Sequence, residues 1–359
     1  MKTVKAQIEV QIRSKEPHRR NWNKKGVIYP GFEVEVIDEK TGEEIDGNDV
    51  WYQDKNGDFY WSGGFEIIGK TDISLNVEGV DAKLDWWQKQ YEIEKLWTAL
   101  STTGEGTEIT IIDSGIDLSS IYFNQSKITG VSVVSDTIQD NLGHGTKVAS
   151  IVAGNGVDFI GAAPGAKLFV IKYYDTALPL AANLIDALKQ VPESSDAVVI
   201  SSGFLSQDIS SQQKTTMQAI INKLANRTPI FCSVGDDFNH DDNAFSRYPS
   251  ALDKTISVAS VGKDRLVCSF STKSDHVDIA APGAEMKVIG LNNTLAKDSG
   301  SSFSSPLLGA LVSLFKAKFN DISNPEIAAR LVESCDPQTN VQLYGKGIVN
   351  PIKTLNSFK

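Results

Sequence analysis

Short runs of alternating polar and apolar residues dominate the first part of the chain. Between Phe32 and Val36, apolar side chains occupy every second position, which is the period of a strand with one buried face. The segment from Val50 to Trp61 holds Asn56-Gly57 between two aromatic runs, and this pair suits the positive φ of a tight hairpin turn. From residue 2 to about residue 76 the pattern predicts a small antiparallel barrel.

The apolar residues change to a helical spacing between Asp81 and Leu100. This spacing predicts an amphipathic helix or a broken helical linker that packs on the domain after it. The residues that carry the pattern are Leu84, Trp87, Tyr91, Ile93, Leu96 and Trp97.

After Gly104, continuous apolar runs alternate with amphipathic stretches. The runs at 108–112, 167–173, 197–200 and 229–234 are typical of buried parallel strands, and helices are predicted near 146–153, 180–190 and 212–226. This is the pattern of an α/β fold with a mostly parallel sheet flanked by helices. We therefore expect a β-barrel domain over 1–80, a helical lead-in over 81–103 and an α/β domain over 104–359.

The charge and hydropathy of the sequence argue against two classes of protein, nucleic-acid-binding proteins and membrane-spanning proteins. The formal net charge is −10, and the sequence has no basic block that could displace counterions from a nucleic acid, so nucleic-acid binding is not expected. No stretch is long and apolar enough to predict a membrane span. A cytoplasmic protein is expected if Met1 is the native start, and a secreted one if a signal peptide was removed.

Three short segments carry candidate catalytic side chains. Asp113 follows the apolar run 108–112, where the carboxyl end of a strand would place it. His144 lies between two glycines at the start of an apolar helix, and Ser302 lies in a serine-rich turn that leads into another. Taken singly, these residues have ordinary structural roles as a turn residue, a surface histidine and a helix cap.

Together the three segments supply an acid, a base and a nucleophile in the order Asp, His, Ser. The motifs Asp-Ser-Gly at Asp113, Gly-His-Gly-Thr at His144 and Gly-Ser-Ser-Phe-Ser-Ser-Pro around Ser302 resemble those of the subtilases, the subtilisin-like serine proteases. Four further segments resemble the family in the same order. They are 161–168, 200–203, 279–283 and 344–350.

The resemblance implies a serine endopeptidase with Asp113, His144 and Ser302 as its catalytic triad. It implies that Ser201, Ser202 and Gly203 form a strand edge that binds an extended peptide or protein substrate. It implies no organic cofactor and no catalytic metal. Calcium is possible but not indicated, because the stretch 155–160 is shorter than the calcium loop of many subtilases.

One position departs from the family pattern. Asp236 occupies the place where subtilases usually carry an asparagine that donates to the oxyanion, beside the backbone N–H of Ser302. An ionised carboxylate only accepts hydrogen bonds, so a slowed enzyme is expected. The alternative is a peptide-binding protein of the same fold that cleaves weakly or not at all.

Two further expectations concern recognition. Asp237, with Asp241 and Asp242, could favour a basic residue before the cleaved bond, although a solvated acidic loop explains the same residues. The segment from Tyr60 to Gly64 resembles bacterial SH3-like domains. This N-terminal barrel could recruit a peptide partner, cover the cleft or act as an inert spacer.

Overall fold

The alternating segments at the start of the chain form antiparallel strands. In the computed structural model, the residues described are 2–6, 10–17, 24–28, 33–68, 80–176, 179–237 and 247–358. The strands of the N-terminal unit, Met1–Asn76, are β1 (Lys2–Ala6), β2 (Val10–Arg13), β3 (Lys24–Ile28), β4 (Glu33–Val36), β5 (Asp38–Ile45), β6 (Asn48–Gln53), β7 (Phe59–Trp61) and β8 (Phe65–Ile68). They form two sheets, with orders β4-β1-β8 and β3-β2-β7-β6-β5.

The predicted aromatic hairpin is formed by β6 and β7. Trp51 pairs with Trp61 across the two strands. Gly57 alone provides the positive φ of the turn, at +79°, and the carboxylate of Asp54 accepts the N–H groups of Asn56 and Asp58 at 2.9 Å. The carboxylate of Asp54 therefore stabilises the turn. Phe32 lies outside the described residues, and the likeness to an SH3-like barrel stays a prediction.

The helical lead-in belongs to the second unit, Val77–Lys359. It forms α1 (Trp86–Gln90) and α2 (Ile93–Leu100), and the chain breaks between them at Glu92, whose φ is +54°. All six apolar residues that carry the helical spacing are buried. The indole N–H of Trp97 donates to the carbonyl of Ala162 at 2.7 Å, which ties this lead-in to the α/β fold.

A nine-stranded sheet organises the second unit, with the order β10-β11-β9-β12-β14-β16-β17-β21-β20. All neighbours are parallel except β20 and β21. The strands of the unit are β9 (Glu108–Asp113), β10 (Ile128–Ser132), β11 (Lys167–Lys172), β12 (Ala197–Ile200), β13 (Phe204–Leu205), β14 (Ile230–Ser233), β15 (Arg247–Tyr248), β16 (Ile256–Val261), β17 (Ile279–Pro282), β18 (Met286–Ile289), β19 (Leu295–Asp298), β20 (Asp336–Pro337) and β21 (Gly347–Ile348). The predicted α/β fold is confirmed.

Helices cover this sheet. They are α3 (His144–Ala153), α4 (Ala181–Leu188), α5 (Ser211–Leu224), α6 (Ser305–Lys318), α7 (Asn324–Glu333), α8 (Val341–Tyr344) and α9 (Pro351–Asn356). Helix α6 is buried from Ser305 to Phe315, because it packs on β9, β12 and β14 as well as on α3. Across the described residues, no helix is both long enough and apolar enough to span a lipid bilayer.

Candidate active site

The acidic member of the predicted triad lies at the end of a central strand. Asp113 is the last residue of β9 and its side chain is fully buried. It pairs in register with Lys172, the last residue of β11. Because the carboxyl ends of parallel strands meet at one edge of the sheet, the loops after β9, β11, β12 and β14 converge here.

His144 reaches this edge because its helix approaches the loop after β9 very closely. Gly143 precedes the helix with a φ of +90°. A Cβ atom on Gly145 would lie 2.2 Å from the carbonyl oxygen of Gly115. Only glycine allows this contact at position 145, and glycine also suits the positive φ at position 143. The local geometry therefore explains the glycines on both sides of His144.

Asp113 and His144 form a direct hydrogen-bonded pair. The Nδ1 atom of His144 lies 2.8 Å from Oδ1 and 3.0 Å from Oδ2 of Asp113. Burial of the ring would lower the pKa of His144, but the charge and hydrogen bond of Asp113 outweigh it, so the pKa is raised above its ordinary value. This arrangement holds the imidazole with Nε2 available for a proton.

A second carboxylate, Asp140, holds the loop in front of His144. Its Oδ1 atom accepts the N–H of Leu142 at 2.9 Å and of Gly143 at 2.8 Å, and Oδ2 accepts the N–H of Thr146 at 2.9 Å. Burial would raise the pKa of Asp140, but the hydroxyl of Thr146, which donates to Oδ2 at 2.6 Å, and these N–H groups lower it below its ordinary value. The sequence analysis did not name Asp140, although an aspartate just before a helix start is a capping signal.

Ser302 lies in the 3-10 turn Ser301–Phe303, which leads into α6. Helix α3 packs against this turn, and the ring centroids of Phe303 and His144 are 6.2 Å apart. The Oγ atom of Ser302 donates to the carbonyl oxygen of Ser201 at 2.7 Å, and its hydroxyl is not hydrogen bonded to His144. The structure thus brings Ser302 beside the predicted substrate strand and its turn beside His144.

The predicted substrate strand continues from β12. The hydroxyl of Ser201 is hydrogen bonded to that of Ser305 at 3.0 Å, and the hydroxyl of Ser202 to that of Tyr173 at 2.6 Å. The carbonyl of Gly203 accepts the guanidinium of Arg247 at 3.4 Å. Both serine hydroxyls and the carbonyls of Ser201 and Gly203 are therefore hydrogen bonded within the protein.

Asp236 lies beside the turn that carries Ser302. Its Oδ1 atom accepts the backbone N–H of Ser301 at 2.8 Å. A Cβ atom on Gly300 would lie 3.1 Å from the other carboxylate oxygen, Oδ2. The residue is exposed at the surface, yet removal of water from its carboxyl raises the pKa of Asp236, an effect that the Ser301 N–H opposes.

Asp237 is already paired with a cation. Its Oδ2 atom accepts Nε of Arg247 at 2.8 Å and Nη2 at 2.5 Å. The pairing balances the charge of Asp237 and weakens the argument that it selects a basic substrate residue. Asp241 and Asp242 lie outside the described residues. The sequence analysis did not name Arg247, which no motif marks.

Tyr174 is a further side chain at the site. Its hydroxyl donates to Oδ1 of Asp113 at 2.9 Å and lies 3.4 Å from Nδ1 of His144. Its place directly after the strand 167–173 could have identified it, because functional side chains collect at strand ends. In the described parts of the chain, no group of three or more His, Cys, Asp or Glu residues is arranged to hold a metal ion.

The sequence matches the model of the subtilase family over residues 104–347. It is 25% identical over 254 residues to subtilisin E of Bacillus subtilis, covering 69% of this chain and 65% of that protein. It is 28% identical over 291 residues to the minor extracellular protease Epr of the same organism, covering 79% of this chain and 43% of that protein. The chain thus spans less than two thirds of the length of these relatives.

Solved structures share the fold. A protease from Pseudoalteromonas arctica superposes with a TM-score of 0.65 at 20% sequence identity, covering 77% of this chain and 98% of the other. Similarity at this level of identity establishes the architecture of the sheet and helices.

Proposed function

Because this chain belongs to the subtilase family, we propose that it is a serine endopeptidase with Asp113, His144 and Ser302 as its catalytic triad. The observation that carries the proposal is the Asp113–His144 pair, with Nδ1 2.8 Å from the carboxylate, facing the turn that holds Ser302. A buried aspartate that orients a histidine beside a helix-initiating serine is the arrangement that acyl transfer requires.

In the first step, Ser302 attacks the carbonyl carbon of the peptide bond. Its Oγ–H leaves the carbonyl of Ser201 and turns towards Nε2 of His144, which takes the proton. The imidazolium then gives that proton to the leaving amine, and water hydrolyses the acyl-enzyme by the same route in reverse. Asp113 keeps the Nδ1–H tautomer in place and stabilises the imidazolium.

The oxyanion forms next to the start of α6. The backbone N–H of Ser302 and the positive end of this helix are available to stabilise it. Oδ1 of Asp236 is held by the Ser301 N–H, which leaves Oδ2 as the second group near the oxyanion. A protonated Oδ2 donates a hydrogen bond, whereas an ionised one repels the charge.

The substrate is proposed to be an extended peptide or an unfolded protein segment. Ser201 to Gly203 are proposed to bind it through main-chain groups, since their serine hydroxyls are bonded inside the protein. The carbonyl of Ser201 becomes free for the substrate when the Ser302 hydroxyl turns towards His144. A substrate that binds as an additional strand is held by hydrogen bonds to its main chain, so binding depends little on its side chains.

The test is hydrolysis of an unfolded protein, with the new termini identified by mass spectrometry. The wild type is expected to cut internal peptide bonds, and Ser302→Ala is expected to lose all but a residual rate. The matched control Ser194→Ala removes an exposed serine hydroxyl that bonds to Glu108 and should cleave like the wild type. A wild type that binds the unfolded protein without cutting it would favour the peptide-binding alternative.

A further inference from the structure

Tyr174 is brought to Asp113 by the pairing of two strands. The backbone N–H of Tyr173 donates to the carbonyl of Asp113 at 3.0 Å, which extends the β11–β9 pairing one residue beyond β11. The next residue, Tyr174, is 9% exposed. Its ring packs edge-on against Tyr173 with the centroids 4.8 Å apart, so the hydroxyl has a fixed direction.

One oxygen of Asp113 receives three donors. Oδ1 accepts the N–H of Ser114 at 2.7 Å, the hydroxyl of Tyr174 at 2.9 Å and Nδ1 of His144 at 2.8 Å. Oδ2 is 3.0 Å from the same Nδ1 atom. The tyrosine therefore shares its acceptor with the histidine and fixes the plane of the carboxylate.

We propose that Tyr174 is a positioning residue of the active site. It holds Asp113 in the orientation that His144 requires, and it lowers the proton affinity of His144. This inference rests on the proposed function and adds a fourth side chain to its triad. Burial, followed by the charge of Asp113, raises the pKa of Tyr174 far above its ordinary value. The hydroxyl therefore keeps its proton and donates to Asp113.

The proton affinity of His144 is lowered because Tyr174 and His144 both draw on the negative charge of Asp113. A hydrogen bond from Tyr174 withdraws negative charge from Asp113, so less of it stabilises the imidazolium. The other charged groups that act on His144 are Asp140, which raises its pKa, and Lys147, which lowers it. Lys147 is itself paired with Asp298 at 2.8 Å. A change at Tyr174 leaves all of these groups in place.

The experiment compares Tyr174→Phe with Tyr122→Phe. The first variant keeps the ring and removes the hydroxyl from Asp113. The control removes the same type of bond elsewhere, since the hydroxyl of Tyr122 donates to Asp158 at 2.9 Å. Thermal unfolding of each variant reports whether the fold survives.

The readout is a titration of the histidine rings by nitrogen NMR, which needs no turnover. The chain has four histidines, and His144→Ala assigns the signal. In Tyr174→Phe, the titration midpoint of His144 is expected to move to higher pH, while Tyr122→Phe leaves it at the wild-type value. An unchanged or lower midpoint in a folded Tyr174→Phe would overturn the inference.

Kinetics give the second readout. We expect kcat of Tyr174→Phe to fall about tenfold with KM unchanged, because a second partner of the catalytic carboxylate is lost. Wild-type kcat in that variant would also count against the inference. If the wild type itself hydrolyses no peptide while the His144 midpoint still moves, the proposed protease function fails and the role of Tyr174 stands.

Discussion

At the scale of single residues, Asp236 differs from the usual asparagine by one atom. In both residues Oδ1 can accept the Ser301 N–H, which lies 2.8 Å away in this structure. The second atom is either an amide nitrogen that always donates or an oxygen that donates only when protonated. Loss of surrounding water raises the pKa of Asp236, so its proton is retained to higher pH than that of an ordinary aspartate.

The kcat of Asp236→Asn relative to the wild type is predicted to depend on pH. Below its raised pKa, Asp236 carries a proton and donates; as pH rises through that value, it ionises and the donor is lost. Asp236→Asn should therefore exceed the wild-type kcat by a ratio that grows with pH, up to about a hundredfold in alkaline solution. Asp186→Asn, on an exposed helix surface, is the control for loss of a carboxylate. A ratio that stays constant with pH would refute this role for Asp236.

At the scale of elements, the start of α3 depends on close backbone contact. Gly145→Ala would place a methyl group 2.2 Å from the Gly115 carbonyl, so the helix must shift and move His144. The free energy of unfolding should fall by about 1–3 kcal/mol, with loss of hydrolysis. In Gly290→Ala the new atom would have no neighbour closer than 3.6 Å. Chemical denaturation of both variants checks the difference, and equal stabilities would contradict it.

Most strands at the centre of the sheet could be predicted from the sequence. The apolar runs identified β9, β11, β12 and β14 to within a residue, because buried parallel strands have few polar residues. The central strands β16 and β17 were not predicted as strands. β16 contains the polar residues Ser257 and Ser260, and β17 contains small residues such as Ala280, so neither strand gives a run of large apolar side chains.

The candidate site could be predicted from the sequence only for those residues that lie in motifs. Asp113, His144 and Ser302 lie in recognisable segments, and the structure brings them to one edge of the sheet. Tyr174 has only its place after a strand end as a signal, and Arg247 reaches that edge through the pairing of β15 with β13, which leaves no local signature. The hydroxyl direction of Ser302, towards Ser201, likewise depends on tertiary packing.

At the scale of the whole molecule, the chain divides into the units Met1–Asn76 and Val77–Lys359. Every residue of the proposed site belongs to the second unit. Removal of residues 1–76 should therefore leave kcat/KM for a short peptide unchanged. If the N-terminal unit recruits the substrate, KM for a long unfolded protein should rise in the truncated chain. A large fall in short-peptide hydrolysis by a folded truncated protein would show that the site needs the first unit.

The central claim is that Ser302 is the nucleophile activated by His144 and Asp113. Its most direct test is reaction with a fluorophosphonate, followed by mass spectrometry of the labelled peptide, in the wild type and in His144→Ala. We predict a single adduct on Ser302 in the wild type and almost none in the variant. An adduct on Ser301, or labelling of Ser302 that is unaffected by His144→Ala, would contradict this account.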